Sequence, residues 1–119
     1  MIHGYIPPHR FLPYLSWTQV NALPDRENTV IVLPVGAIEQ HGPHLPLSVD
    51  TDIINAVISA SISKMPDDLP VLFLPTQVIG KSNEHTRFPG TLTHSAETLM
   101  RIWKELAENV NLMGANLTD

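Results

Sequence analysis

The sequence contains no cysteine, so neither a disulfide framework nor a thiolate metal site is open to it, and any metal must be held by His, Asp or Glu. Positive charge is scarce. Seven Lys and Arg stand against twelve Asp and Glu, a formal net charge of −5, which argues against a nucleic-acid backbone or an anionic membrane surface as partner. Apolar runs fall far short of the roughly 20 residues that a spanning helix needs. The first residues, from Met1 to Tyr5, lack the charged and apolar regions of a secretion signal, and a cytoplasmic location is the resulting expectation. Internal repeats and low-complexity tracts are also missing, so the 119 residues are expected to form one domain at most.

What is present is an ordinary globular composition, 43% hydrophobic and 16% charged, which favours a folded chain over a disordered one. Residues 1–14 carry Pro7, Pro8 and Pro13 among aromatics and are expected to form an extended arm. Ser16 and Gln19 have the spacing of a capping box, and Trp17, Val20 and Leu23 recur at helical spacing, so a short helix is expected over 17–23. The run from Asn28 to Val35 is β-branched and aliphatic, the pattern of a strand buried on both faces of a parallel sheet. Ile54, Val57, Ile58, Ile62 and Met65 then predict a helix over 52–64, with Asp52 complementing its amino end. A second buried strand is expected from Val71 to about Val78, giving a parallel crossover. Residues 79–94 read as a loop. Ser95 is a good N-cap for a helix whose stripe is Leu99, Ile102, Trp103, Leu106, Val110 and Met113, closed by Gly114.

Chemistry-bearing residues gather after the first strand. Glu39, His41, His44 and Asp50 follow Val35 within fifteen residues, among Gly42, Pro43 and Pro46. Glu39 and His41 are two apart, so an extended chain sends both side chains to one face. The Gly and Pro residues force a turn that can return Asp50 toward them. A carboxylate with an imidazole suits a divalent ion such as zinc or manganese. The plainer alternative is an exposed loop whose Asp50 only caps the next helix. The loops after both strands would lie at the carboxyl ends of a parallel sheet, where open α/β folds place their sites.

The whole string Gly36-Ala-Ile-Glu-Gln-His-Gly-Pro-His-Leu-Pro46, with Asp50 following, closely resembles the opening motif of the creatininase family of metal-dependent amidohydrolases. A second block, Ser82-Asn-Glu-His85 with Phe88-Pro-Gly-Thr91, is similar to the loop after that family's second strand. The resemblance runs from about Leu15 to Gly114 and implies a three-layer α/β/α fold with a mainly parallel sheet. It also implies a two-ion zinc or manganese site in which Glu39 ligates one ion, His41 the other, and Asp50 bridges them. His44 would stand in a supporting shell, and Glu84 and His85 would line the substrate pocket. The implied substrate is a small molecule with a cyclic amide or other non-peptide C–N bond, and the implied assembly is a homo-oligomer.

The family pattern continues into a strand ending in Asn-Gly-His, which supplies further ligands and is not found in this sequence. The expectation is therefore a single, truncated domain: an arm over 1–14, a family-like core over 15–114, and a diverged end over 115–119. No residue of the chain is assigned as catalytic in its own right. A different class of function, a non-catalytic α/β remnant serving as an interaction or assembly module, is the alternative.

Overall fold

The structure, a computed structural model, describes residues 6–118, with side-chain surroundings for residues 6–115. Three short parallel strands, β1 (Val30–Val32), β2 (Val71–Phe73) and β3 (Asn116–Thr118), lie in the order β2-β1-β3. Helix α2 (Val49–Ile62) links β1 to β2, and α3 (Ala96–Leu112) links β2 to β3. A five-residue helix, α1 (Trp17–Asn21), precedes them.

Strand alternation assigns the helices to opposite faces. Ile31 pairs with Leu72, and Val32 with Phe73, so each pair shares a face. The face with Ile31 and Leu72 packs against Val110 of α3 and Ala115. Phe73 on the other face packs with Ile58 of α2, Phe11 and Ile6, with Val32, Ile54 and Ile62 against them. The result is the expected three-layer α/β/α arrangement around β1. Ile31 is fully buried, and removing such a side chain from water contributes about 2 kcal/mol.

Both strands are shorter than their apolar runs predict. Pro34 and Pro75 follow closely, and proline has no N–H to donate to a ladder. Pairing resumes beyond them: Gly36 N donates to Gln77 O at 2.8 Å and Gln77 N to Pro34 O at 2.9 Å. The amino-terminal arm also departs from expectation. Its first five residues lie outside those described, but the rest forms two 3-10 turns, Pro8–Arg10 and Leu12–Tyr14, because proline's fixed φ suits a first helical turn. Phe11, between the turns, bridges to Phe73.

Helix α1 has both hydrogen bonds of the capping box but ends at Asn21, and Trp17 is 78% exposed instead of lining a core. Helix α2 begins three residues earlier than predicted, which moves Asp50 out of the loop and into the first turn beside Asp52. Val57 on α2 is exposed. Ser95 caps α3 by accepting from Thr98 N, and Gly114 follows with φ of 79°, the left-handed conformation that ends many helices. Trp103 keeps 39% of its surface exposed and donates its indole N–H to Gln77 Oε1 at 2.9 Å. Residues 116–118, expected to be a diverged end, pair with β1 from Val30 to Val32.

Candidate metal centre

The central strand delivers its loop to one end of the sheet. β1 is the middle strand, flanked by β2 on one side and β3 on the other, and crevices beyond the carboxyl end of such a strand are where ligands bind in open α/β sheets. The chain turns there under close approach. A Cβ on Gly36 would lie 3.1 Å from the Thr51 Cα, and one on Gly80 would lie 3.0 Å from Gly36 O. The absence of side chains at 36 and 80 thus lets the β1 loop sit against both α2 and the β2 loop.

Backbone hydrogen bonds fasten the two loops together. Leu92 N donates to Ile38 O at 2.9 Å and Gln40 N to Thr91 Oγ1 at 3.1 Å, while within the second loop His94 N donates to Gly80 O at 2.8 Å. Within the first loop, Glu39 N reaches Leu47 O at 3.3 Å, folding the Pro43–Pro46 turn back on itself. The second loop contains a 3-10 turn over Asn83–His85. The two motifs are neighbours in space.

Glu39, His41 and Asp50 each bring a ligand atom to within 4.8 Å of the others, and all three are half-buried. His41 Nε2 stands 3.6 Å from Asp50 Oδ2. The His41 Nδ1 lies 3.0 Å from Glu39 O, and a carbonyl can only accept, so Nδ1 carries the proton and Nε2 of the neutral ring presents its lone pair. Asp50 Oδ2 is buried and has no hydrogen-bond partner among the described residues. With the ring neutral, two electron-rich atoms face each other there; with it protonated, the same contact is an ion pair. Their 3.6 Å separation is one that two metal–ligand bonds of about 2.1 Å can span. The donor set of two carboxylates and an imidazole fits a divalent ion, and the positive amino end of α2 complements Asp50's charge.

A second group adjoins the first and shares Glu39. Ligand atoms of Glu39, Glu84 and His85 also lie within 4.8 Å of one another, although Glu84 is exposed. His85 stands edge-on to Phe88, with ring centres 6.5 Å apart, and its Nδ1 is 3.1 Å from Gln40 Nε2. His44 is exposed and belongs to neither group. His94, half-buried, lines an apolar cavity of about 420 Å³ with Leu33, Leu74, Val78, Ile79 and Ile102. The sequence reading gave no task to Gln40. The available signal was its position, an amide side chain between two ligand types on a turning chain.

A family model described as creatinine amidohydrolase matches residues 13–117. The chain belongs to the creatininase family. It is 42% identical over 81 residues to a mycofactocin precursor peptide peptidase of Mycobacterium tuberculosis, an alignment covering 63% of this chain and 32% of that protein. It is 29% identical over 110 residues to a creatinine amidohydrolase of Pseudomonas putida, covering 88% of this chain and 41% of the other. Among solved structures, one described as "Creatininase Mn" superposes with a TM-score of 0.76 at 29% identity, over 91% of this chain and 43% of that one. A mutant creatininase of Zn-Zn type gives 0.75 at 28%, over 90% and 42%. The chain thus spans about a quarter to two fifths of the curated relatives that it matches, and the fold is the corresponding part of a creatininase fold.

Proposed function

We propose that this chain carries the first ligand-bearing segment of a metal-dependent hydrolase that cleaves a carbon–nitrogen amide bond. The observation that carries this reading is the His41 Nε2 to Asp50 Oδ2 gap of 3.6 Å, whose carboxylate oxygen is buried with no hydrogen-bond partner among the described residues. Glu39, His41 and Asp50 would hold zinc or manganese, the ions named for similar creatininases. A divalent ion bound there acidifies water and polarises an amide carbonyl. Of the chain's own residues, Asp50 sets negative charge at the mouth of α2, Glu39 adds a second carboxylate, and the Glu39 carbonyl fixes the His41 tautomer.

The bond class is common to both kinds of relative. One is named for a peptide substrate and the other for creatinine, a cyclic amide. The peptidase relatives have the higher identity, so peptide bonds join cyclic amides and other non-peptide C–N bonds among the candidate substrates. A second reading, self-association, is favoured by Trp17 and Leu112. They are 78% and 86% exposed and line one shallow groove. Sedimentation of the chain as a monomer at high concentration would remove it.

Metal titration of the 119-residue chain tests the main reading. Zinc or manganese should bind, and Glu39→Gln should weaken binding at least about tenfold, the scale on which even supporting residues act. Shared between two ions, the three side chains leave each with two protein ligands, against three or four in most zinc sites. Binding is therefore expected to be loose, and hydrolysis of creatinine, cyclic amides, formamides or short peptides is expected to need further ligands. Unchanged affinity in Glu39→Gln would defeat the proposed site. Metal-dependent turnover by this chain alone would defeat the ligand count.

A further inference from the structure

We infer that Gln40 is a positioning residue which biases the metal toward one of the two adjoining groups, by holding His85 in the tautomer whose one lone pair is engaged by the Gln40 amide. The inference rests on the proposed metal site and names what limits it to Glu39, His41 and Asp50.

The geometry is closed at both ends of the Gln40 amide. Gly42 N lies 2.9 Å from Gln40 Oε1, and a backbone N–H can only donate, so Oε1 is the acceptor and the amide cannot be turned over without losing that bond. Gln40 Nε2 then faces His85 Nδ1 at 3.1 Å. An amide nitrogen only donates, so Nδ1 accepts. In the neutral ring the proton is thereby placed on Nε2. Nδ1 has spent its lone pair on the amide, and Nε2 has none to offer.

His41 is held the opposite way. Its Nδ1 donates to the Glu39 carbonyl at 3.0 Å, which leaves Nε2 free to ligate beside Asp50. Two histidines with carboxylates at the same range are thus sorted by their other ring nitrogen, one facing a carbonyl and the other an amide N–H. The backbone of residues 39–42 supplies both decisions, directly for His41 and through Gln40 for His85. His85 remains a hydrogen-bond donor at the edge of the site, where a carbonyl oxygen of an amide is the fitting acceptor.

Nitrogen-15 NMR of histidine-labelled chain reads this without any need for activity. Before metal is added, His85 should show an unprotonated Nδ1 and a protonated Nε2, and His41 the reverse. On zinc titration the His41 Nε2 signal should shift while both His85 nitrogens stay where they were. Gln40→Glu replaces the amide donor by an acceptor, so the His85 pattern should invert and its Nε2 should become zinc-responsive. A protonated Nδ1 on His85 in the natural chain, or a zinc shift at His85 that tracks the one at His41, overturns the inference. If Gln40→Glu fails to fold, the natural chain's spectrum still decides. A His41 signal that ignores zinc overturns the metal site itself, while the His85 tautomer is read independently of it.

Discussion

The two ends of the parallel sheet treat buried polar groups in opposite ways. At the amino end, Arg10 is 4% exposed and its guanidinium donates to three carbonyls around the start of β2: Pro66 O at 2.6 Å, Val71 O at 3.0 Å, and Leu69 O. At the carboxyl end, Asp50 Oδ2 is buried and accepts no hydrogen bond from the described residues. A buried charge tied to several carbonyls inside the protein serves the fold, whereas a buried acceptor left without a donor asks for something from outside. The difference separates stability from function within one small domain.

The largest expected effect tests the closed end. Arg10→Ala removes the donors to three carbonyls and opens a gap beside Phe11, which bridges to β2. Losing one partner of a buried, charged hydrogen-bonding set costs about 3 kcal/mol. Denaturant unfolding should show that loss, while zinc affinity per folded molecule stays unchanged. A loss below about 1 kcal/mol would mean that Arg10 is a surface group and that the amino end is not closed by it.

The open end predicts the converse. Asp50→Asn keeps the shape but removes the charge that faces His41 Nε2 across the 3.6 Å gap. Metal affinity should fall tenfold or more, equivalent to at least about 1.4 kcal/mol, with unfolding free energy in the absence of metal within about 1 kcal/mol of the natural chain, the scale of the lost interaction with the amino end of α2. Calorimetric titration and denaturant melts read the two quantities separately. A chain that loses stability but keeps its metal would reverse the comparison.

This division also explains what the sequence could and could not reveal. Helix α3 was legible because its signals are local: Ser95, a stripe at helical spacing, and Gly114 all act within a few residues of the bonds they control. The meeting of Glu39 with His41 was legible for the same reason, through alternation. Strand ends were not, because Pro34 and Pro75 lie inside apolar runs and their missing N–H groups matter only once a neighbour is known. The start of α2 was missed because its first turn, Val49 to Asp52, carries no apolar stripe and Ser48 makes no side-chain cap bond that would mark it. β3 was missed because its pairing lies with Val30–Val32, more than eighty residues away. Gln40's task is also non-local, since it depends on His85 arriving from the second loop.

The smallest effect separates satisfaction of polar groups from mere location. Ser95 lies at the carboxyl end of the sheet, just after His94, whose N–H is tied to Gly80 O at 2.8 Å, yet its own side chain is used: Oγ accepts from Thr98 N at 3.2 Å. If the role of a polar group follows from whether its bonds are made, Ser95→Ala should behave like a milder Arg10→Ala and unlike Asp50→Asn. Loss of an N-cap costs about 1 kcal/mol, seen as a lower denaturation midpoint at unchanged slope, with zinc affinity unaltered. A fall in affinity comparable to that of Asp50→Asn would show that every group at this end serves the metal, so that position in the sheet, and not the state of each hydrogen bond, divides the molecule.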